Sequence, residues 1–185
     1  MALVRSILFA LVLLVLTPPF ALIALATFPL KAHQRYHIIS YWARIVLWFT
    51  HHLLGIRYTV LGRENMPEQS AVVLCKHQSA WETIAVQQIL PPICFVLKRE
   101  LLWIPFFGWG LAQMPTIAIN RKAGKDALSQ VVQQGRKRLG EGFWVLVFPE
   151  GTRVSPGTPA PKNLHQDACG LAARPGLARP CPPCG

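Results

Sequence analysis

No residue between Ser6 and Leu30 carries a charge, and Arg5 and Lys31 bracket the run. A helix needs about 20 apolar residues to cross a bilayer, so residues 1–32 are expected to form a membrane anchor. A secretory signal is the alternative, because Arg5 precedes the apolar Ile7–Leu16. Against it, no small-x-small cleavage pattern follows and the apolar run continues past Pro18-Pro19. Prolines inside a helix remove backbone donors and crowd the preceding turn, which predicts either one kinked span or a two-helix hairpin dipping into one leaflet. Lys31, Arg35, Arg44, Arg57 and Arg63 all follow the segment. By the positive-inside rule the rest of the chain is then expected on the cytoplasmic side of the inner membrane.

Past the anchor, Ile38, Trp42, Ile45, Val46, Phe49 and Leu53 recur at helical spacing, with Ser40, Arg44 and His51 off the stripe and Gly55 as a stop signal. This predicts an interfacial amphipathic helix within 33–60, with an ordinary core helix as the alternative. His51 and His52 read as polar-face residues, since no third ligand is spaced to join them. Lys and Arg outnumber Asp and Glu by 19 to 8 in a chain that is 52% hydrophobic, a balance suited to membrane lipid or an anionic substrate. Nucleic acid is not expected as a partner, because the basic residues lie beside apolar segments with no basic helix or aromatic platform.

From residue 71 the pattern alternates. Short apolar runs at 71–75, 93–97, 116–120 and 143–148 read as strands, and 79–90 and 124–139 as helices. Strands separated by crossovers predict an α/β fold with a sheet that is at least partly parallel. The strands deliver His77, Lys98 with Arg99, Arg121 and Arg153 at their carboxyl ends, where open α/β sheets gather their chemistry. Four such groups suggest one site for an anionic ligand. The apolar segment 101–114, broken by Pro105, Gly108 and Gly110, suits a membrane-facing loop or an acyl-chain groove better than a regular helix, with a buried crossover as the alternative.

Within this frame His77 and Glu82 are the candidate chemistry. The imidazole ends a strand and the carboxylate falls in the first turn of the next helix, so the acid can fold back to orient the base. Ser79-x-x-Glu82 is also a capping box, which accounts for the glutamate without catalysis. Arg153 beside Gly151 and Thr152 suits phosphate: guanidinium forks pair with its oxygens, and a Gly-Thr turn adds N–H and hydroxyl donors. Arg121 taken alone reads equally as a solvated strand-end charge.

Together His77-x4-Glu82, the KREL run at 98–101 with the Pro105 and Gly108 loop, IAINR ending at Arg121, and FPEGTR at 148–153 resemble the lysophospholipid acyltransferases, above all their bacterial branch acting on 1-acyl-sn-glycerol 3-phosphate. The resemblance covers about 71–153. It implies a glycerolphosphate acyltransferase-like catalytic core at 61–153. It also implies transfer of an acyl group from acyl-coenzyme A or acyl carrier protein to the free hydroxyl of lysophosphatidic acid, giving phosphatidic acid. His77 would be the general base and Glu82 its orienting acid. Arg121 and the Glu150-Gly151-Thr152-Arg153 turn would bind the acceptor's phosphate region, with Lys98 and Arg99 beside them and Glu150 orienting Arg153 or Thr152. No G-x-S-x-G elbow occurs, so direct attack without an acyl-enzyme is expected, with neither metal nor further cofactor. Another lysolipid acceptor, or an inactive membrane-bound fragment, are the alternatives.

Three departures accompany the resemblance. Glutamate stands at 82 where the pattern has aspartate, and Lys76 stands where a small polar residue is usual. From Val154 to Gly185 the chain is rich in proline and glycine and has no aromatic residue. It reads as a disordered or frame-shifted tail in place of the last part of the fold. Cys75 and Cys94 read as small buried hydrophobes. His165, Cys169, Cys181 and Cys184 formally allow a zinc site, which the tail's composition explains without a metal.

Overall fold

The computed structural model describes residues 2–120 and 124–155. Helix α1, Ala2–Ala26, runs through Pro18 and Pro19 as a single helix, so the prolines do not divide it into two. The missing donors release only the carbonyls one turn back, those of Leu14 and Val15, while the turns on either side keep their ladder. The Thr17 hydroxyl adds a bond to the carbonyl of Leu13 at 2.7 Å. Among the described residues α1 is the one helix long and apolar enough to cross a membrane.

A helical hairpin does form, but its turn lies at 27–31 rather than at the prolines. The buried Thr27 hydroxyl donates to the carbonyl of Ala24 at 2.6 Å, and the N–H of Leu30 to the carbonyl of Thr27 at 2.9 Å. Helix α2, Ala32–Leu54, then folds back along α1, so that Leu8 and Leu11 share a groove with Phe49 and Leu53. Gly55 ends α2 at φ 71, a left-handed conformation that costs glycine nothing, and its N–H donates to the carbonyl of His51.

The inward face of α2 is a correction to the stripe read through Ile38 and Trp42. Tyr36, Ser40, Ala43, Val46 and Thr50 are buried, whereas Ile38 is exposed. Packed on one side by α1 and on another by α3 (Trp81–Ile89), α2 turns its small residues inward where the helices approach, and the bulkier apolar side chains flank them. Gln88 of α3 bridges the contact, donating to the carbonyl of Ser40 at 3.0 Å and accepting from Nε of Arg44 at 3.2 Å.

Strands β1 (Val72–Leu74), β2 (Ile93–Lys98), β3 (Ile117–Ile119) and β4 (Trp144–Val147) form one sheet in the order β1-β4-β2-β3, every neighbouring pair parallel. Ile93, Cys94, Val145 and Leu146 on the central strands are wholly buried, as parallel strands covered on both faces require. Helix α3 crosses from β1 to β2, and α5 (residues Lys125–Gly140) from β3 to β4.

Between β2 and β3 the expected irregular loop is instead a 3-10 turn, Arg99–Trp103, and a short helix α4, Phe107–Gln113. Pro105 and Gly108 take part in building this helix rather than preventing it. The N–H of Phe107 donates to the carbonyl of Pro105 at 2.7 Å across Phe106, whose φ of 60° makes a γ-turn that starts α4. Gly108 lets the helix lie directly on the 3-10 turn: a Cβ there would stand 2.3 Å from the carbonyl oxygen of Leu102.

Candidate active site

The strand order decides what meets at the carboxyl edge of the sheet. β1 runs out into His77 and its neighbour β4 into 149–153, while β2 ends at Lys98 and β3 at Asn120. Arg121 lies outside the described residues.

His77 is held on several sides. Its Nδ1 stands 2.7 Å from Oε1 of Glu82, with both side chains mostly buried, 19% and 16% exposed. Its backbone N–H donates to Oε2 of Glu150 at 3.4 Å, its carbonyl accepts from the N–H of Val154 at 2.8 Å, and its ring stacks on Phe148 at 4.2 Å and 29°. Glu150 therefore engages the main chain of His77, a position that differs from the expected one beside Arg153 or Thr152.

Glu82 unites the two readings of its motif. Its carboxylate accepts from the N–H groups of Gln78 and Ser79 at 2.8 Å and from the Ser79 hydroxyl, while the N–H of Trp81 donates to that hydroxyl oxygen at 3.1 Å. The cap is thus also the clamp on His77. Burial pushes the Glu82 carboxyl up, but the hydrogen bonds from Ser79 and His77 outweigh it and bring the carboxyl from its ordinary 4.5 down to about 2. A carboxylate can only accept, so Nδ1 of His77 carries the proton and Nε2 of the neutral ring keeps its lone pair. Cys75 offers no competing nucleophile, because burial, with Glu82 and Glu150 nearby, pushes its thiol up.

His77 opens on a cavity of about 520 Å³. Lys98, Gly151 and Arg153 also line it, whereas Arg99, Thr152 and Glu150 stand outside its wall and Arg99 and Thr152 are exposed. Lys98 pairs loosely with Glu100 at 3.8 Å. The rest of the wall is mostly apolar, from Phe20 of α1 and Trp42 of α2 to Phe106, Phe107 and Leu111 around α4. A base, two cations and a hydrocarbon wall around one space suit an amphiphile with an anionic head and a reactive hydroxyl.

Several of these residues escape sequence reasoning. Ala80, which precedes α3, and Thr83, Ile84 and Gln87 on one face of that helix line the cavity, and their i, i+3, i+4, i+7 spacing is a signal that could have found them. Phe148 is covered by the FPEGTR run but not singled out. Nothing in the sequence of α1 marks Leu13, Thr17 and Phe20 as cavity wall. Among the described residues no three His, Cys, Asp or Glu gather to hold a metal, and His165, Cys169, Cys181 and Cys184 lie outside those residues.

Residues 57–179 match the model of the Acyltransferase family. Over 129 residues the chain is 49% identical to a 1-acyl-sn-glycerol-3-phosphate acyltransferase of Pseudomonas aeruginosa, covering 70% of this chain and 50% of that protein. With the human 1-acyl-sn-glycerol-3-phosphate acyltransferase alpha it shares 36% over 120 residues, 64% of this chain and 42% of the relative. The chain thus spans about half the length of the curated relatives it matches. The fold is that of the crystal structure of the 1-acyl-sn-glycerophosphate (LPA) acyltransferase PlsC from Thermotoga maritima, with a TM-score of 0.70 at 21% identity over 92% of this chain and 70% of the other.

Proposed function

The chain belongs to the Acyltransferase family, and from that premise we propose that it transfers an acyl group from a thioester donor to the free hydroxyl of 1-acyl-sn-glycerol 3-phosphate, giving phosphatidic acid. The observation that carries the reading is the 2.7 Å pairing of His77 with Glu82 at a cavity that Arg153 and Lys98 also line. The names of the relatives support the acceptor.

In this mechanism Nε2 of His77 takes the hydroxyl proton as the oxygen attacks the thioester carbonyl. The new C–O bond forms, the C–S bond breaks, and the departing thiolate recovers the proton from Nε2. Glu82 keeps the ring in the right tautomer and stabilises the imidazolium formed in between. Arg153 and Lys98 meet the acceptor's phosphate, with the Thr152 hydroxyl as a further donor, while the N–H of Gly151 already donates to the carbonyl of Phe148 at 3.0 Å. By the family resemblance Arg121 joins that set. The apolar wall takes hydrocarbon chain, and acyl-coenzyme A or acyl carrier protein supplies the acyl group without another cofactor.

The acceptor is a membrane lipid, and the surface beside the cavity suits a bilayer. Trp103 is 76% exposed, Ile104 and Trp109 are exposed too, and α4 packs on α1, whose Leu3, Leu14 and Val15 are also uncovered. Tryptophan favours the headgroup layer. The basic residues that follow α1 favour the cytoplasmic side for the catalytic part. Acyl transfer from labelled acyl-coenzyme A to lysophosphatidic acid in isolated membranes tests the reading. His77→Ala is expected to remove about 10³-fold of the rate, and equal rates in the two proteins would sink it.

A further inference from the structure

The parallel register sets Leu74 opposite Val147, and the N–H of Cys75 donates to the carbonyl of Val147 at 3.0 Å. The residues that leave β1 and β4 therefore travel side by side, and the ring of Phe148 reaches the imidazole of His77 at 4.2 Å and 29°. Glu150 and Val154 grip the N–H and carbonyl of His77 and so fix its peptide, and the carboxylate of Glu82 on Nδ1 fixes how the ring is turned about its side-chain bonds. One edge of the imidazole then faces the carboxylate of Glu82 and one face lies on the π-cloud of Phe148.

We propose that Phe148 is a positioning residue that acts through His77, its ring face stabilising the positive charge the imidazole gains while it holds the hydroxyl proton. The proposal rests on the acyl-transfer reading for its effect on rate, though not for the contact itself. A neutral imidazole has only ordinary aromatic stacking on a phenyl face. An imidazolium is drawn to the ring's quadrupole, and the centroid distance is well inside the roughly 6 Å over which that attraction acts. The stabilisation therefore appears as the proton arrives, which is what lowers a barrier rather than tightening ground-state binding. Glu82 bonds Nδ1 and Glu150 the backbone N–H of His77, and Lys98 and Arg153 line the same cavity.

The test replaces Phe148 with 4-fluoro-, 3,5-difluoro- and 3,4,5-trifluorophenylalanine. Each fluorine drains the ring face and nearly preserves its shape. Two readouts are taken: kcat and KM for lysophosphatidic acid in vesicles, and the share of His77 in the imidazolium form at one fixed pH. The second comes from the ring ¹⁵N shifts of detergent-solubilised protein, assigned by comparison with His77→Ala. The expected result is a stepwise fall in kcat, about fivefold for the trifluoro ring, with KM and thermal unfolding unchanged and the imidazolium share falling in parallel. Phe148→Leu is expected to lower kcat at least as far, and Phe148→Trp to restore it.

A flat kcat across the fluorine series, in a protein whose turnover His77→Ala abolishes, overturns the proposal and leaves the acyltransferase reading standing. If the parent protein shows no turnover, that reading fails and the ring shifts decide. A graded loss of imidazolium supports the stack, and an unchanged share overturns it.

Discussion

The two sides of the cleft are built by different physics. Around His77 every position is set by directional bonds: Glu82 to the ring and to Ser79, Glu150 and Val154 to the main chain. The facing wall, from Phe20 to Phe106 and Leu111, offers mostly carbon and is set by how closely α1, the 3-10 turn and α4 approach. Directional bonds fail when the chemistry of one atom changes. Packed walls tolerate a change of chemistry at constant volume, and fail when an atom is added where backbones touch.

Glu82→Gln strikes the first kind of wall and carries the largest expected effect. The amide fits the space, but it no longer secures the tautomer or balances the imidazolium, and kcat is expected to drop about a thousandfold. The same variant sharpens the electrostatics. The folded carboxyl titrates at about 2 against an ordinary 4.5, so the stability it lends is complete above pH 4.5 and drains away as the pH falls toward 2. That contribution is about 3 kcal/mol. Chemical unfolding in detergent across this range is expected to lose that amount in the parent and not in Glu82→Gln; parallel pH slopes in the two proteins count against the assignment.

Gly108→Ala strikes the second kind. Its Cβ meets backbone at 2.3 Å and 2.5 Å on Leu102, which no side-chain rotation relieves. The expected cost is about 3 kcal/mol of stability, read as a lower unfolding midpoint. A midpoint unchanged from the parent means that the 3-10 turn and α4 do not touch as described. Lys98→Ala is the smallest change. Its partner Glu100 lies 3.8 Å away and Lys98 is 50% exposed, so stability is expected to stay within about 0.5 kcal/mol while KM for lysophosphatidic acid rises. If instead stability falls and KM holds, Lys98 belongs to the scaffold and not to the proposed phosphate site.

What the sequence discloses follows the same division. The His77–Glu82 pair is legible because its partners lie five positions apart and a single turn brings them together. The strands are legible because parallel strands need continuous apolar runs. The FPEGTR turn is legible as sharing a cavity with His77, though not as the grip on its main chain, because that contact depends on β1 and β4 being neighbours and no local pattern encodes strand order. The inward face of α2 is misread because burial there favours Ser40 and Ala43, whose value lies in being small rather than apolar. The part α1 takes in the cavity is hidden for a related reason: a helix apolar on every side gives no sign of which side it will present.

The order β1-β4-β2-β3 also constrains how the protein is made. β1 is the first strand to leave the ribosome, yet its sheet neighbour is β4, the last of the four to be synthesised. Until β4 and the turn after it emerge, His77 can find Glu82 but lacks its ring partner and both main-chain anchors. The apolar α1, by contrast, is free to meet lipid almost at once. The reactive corner is thus completed late in synthesis, on a chain whose leading helix can already be tethered, and a nascent chain stalled before β4 carries the histidine without the frame that orients it.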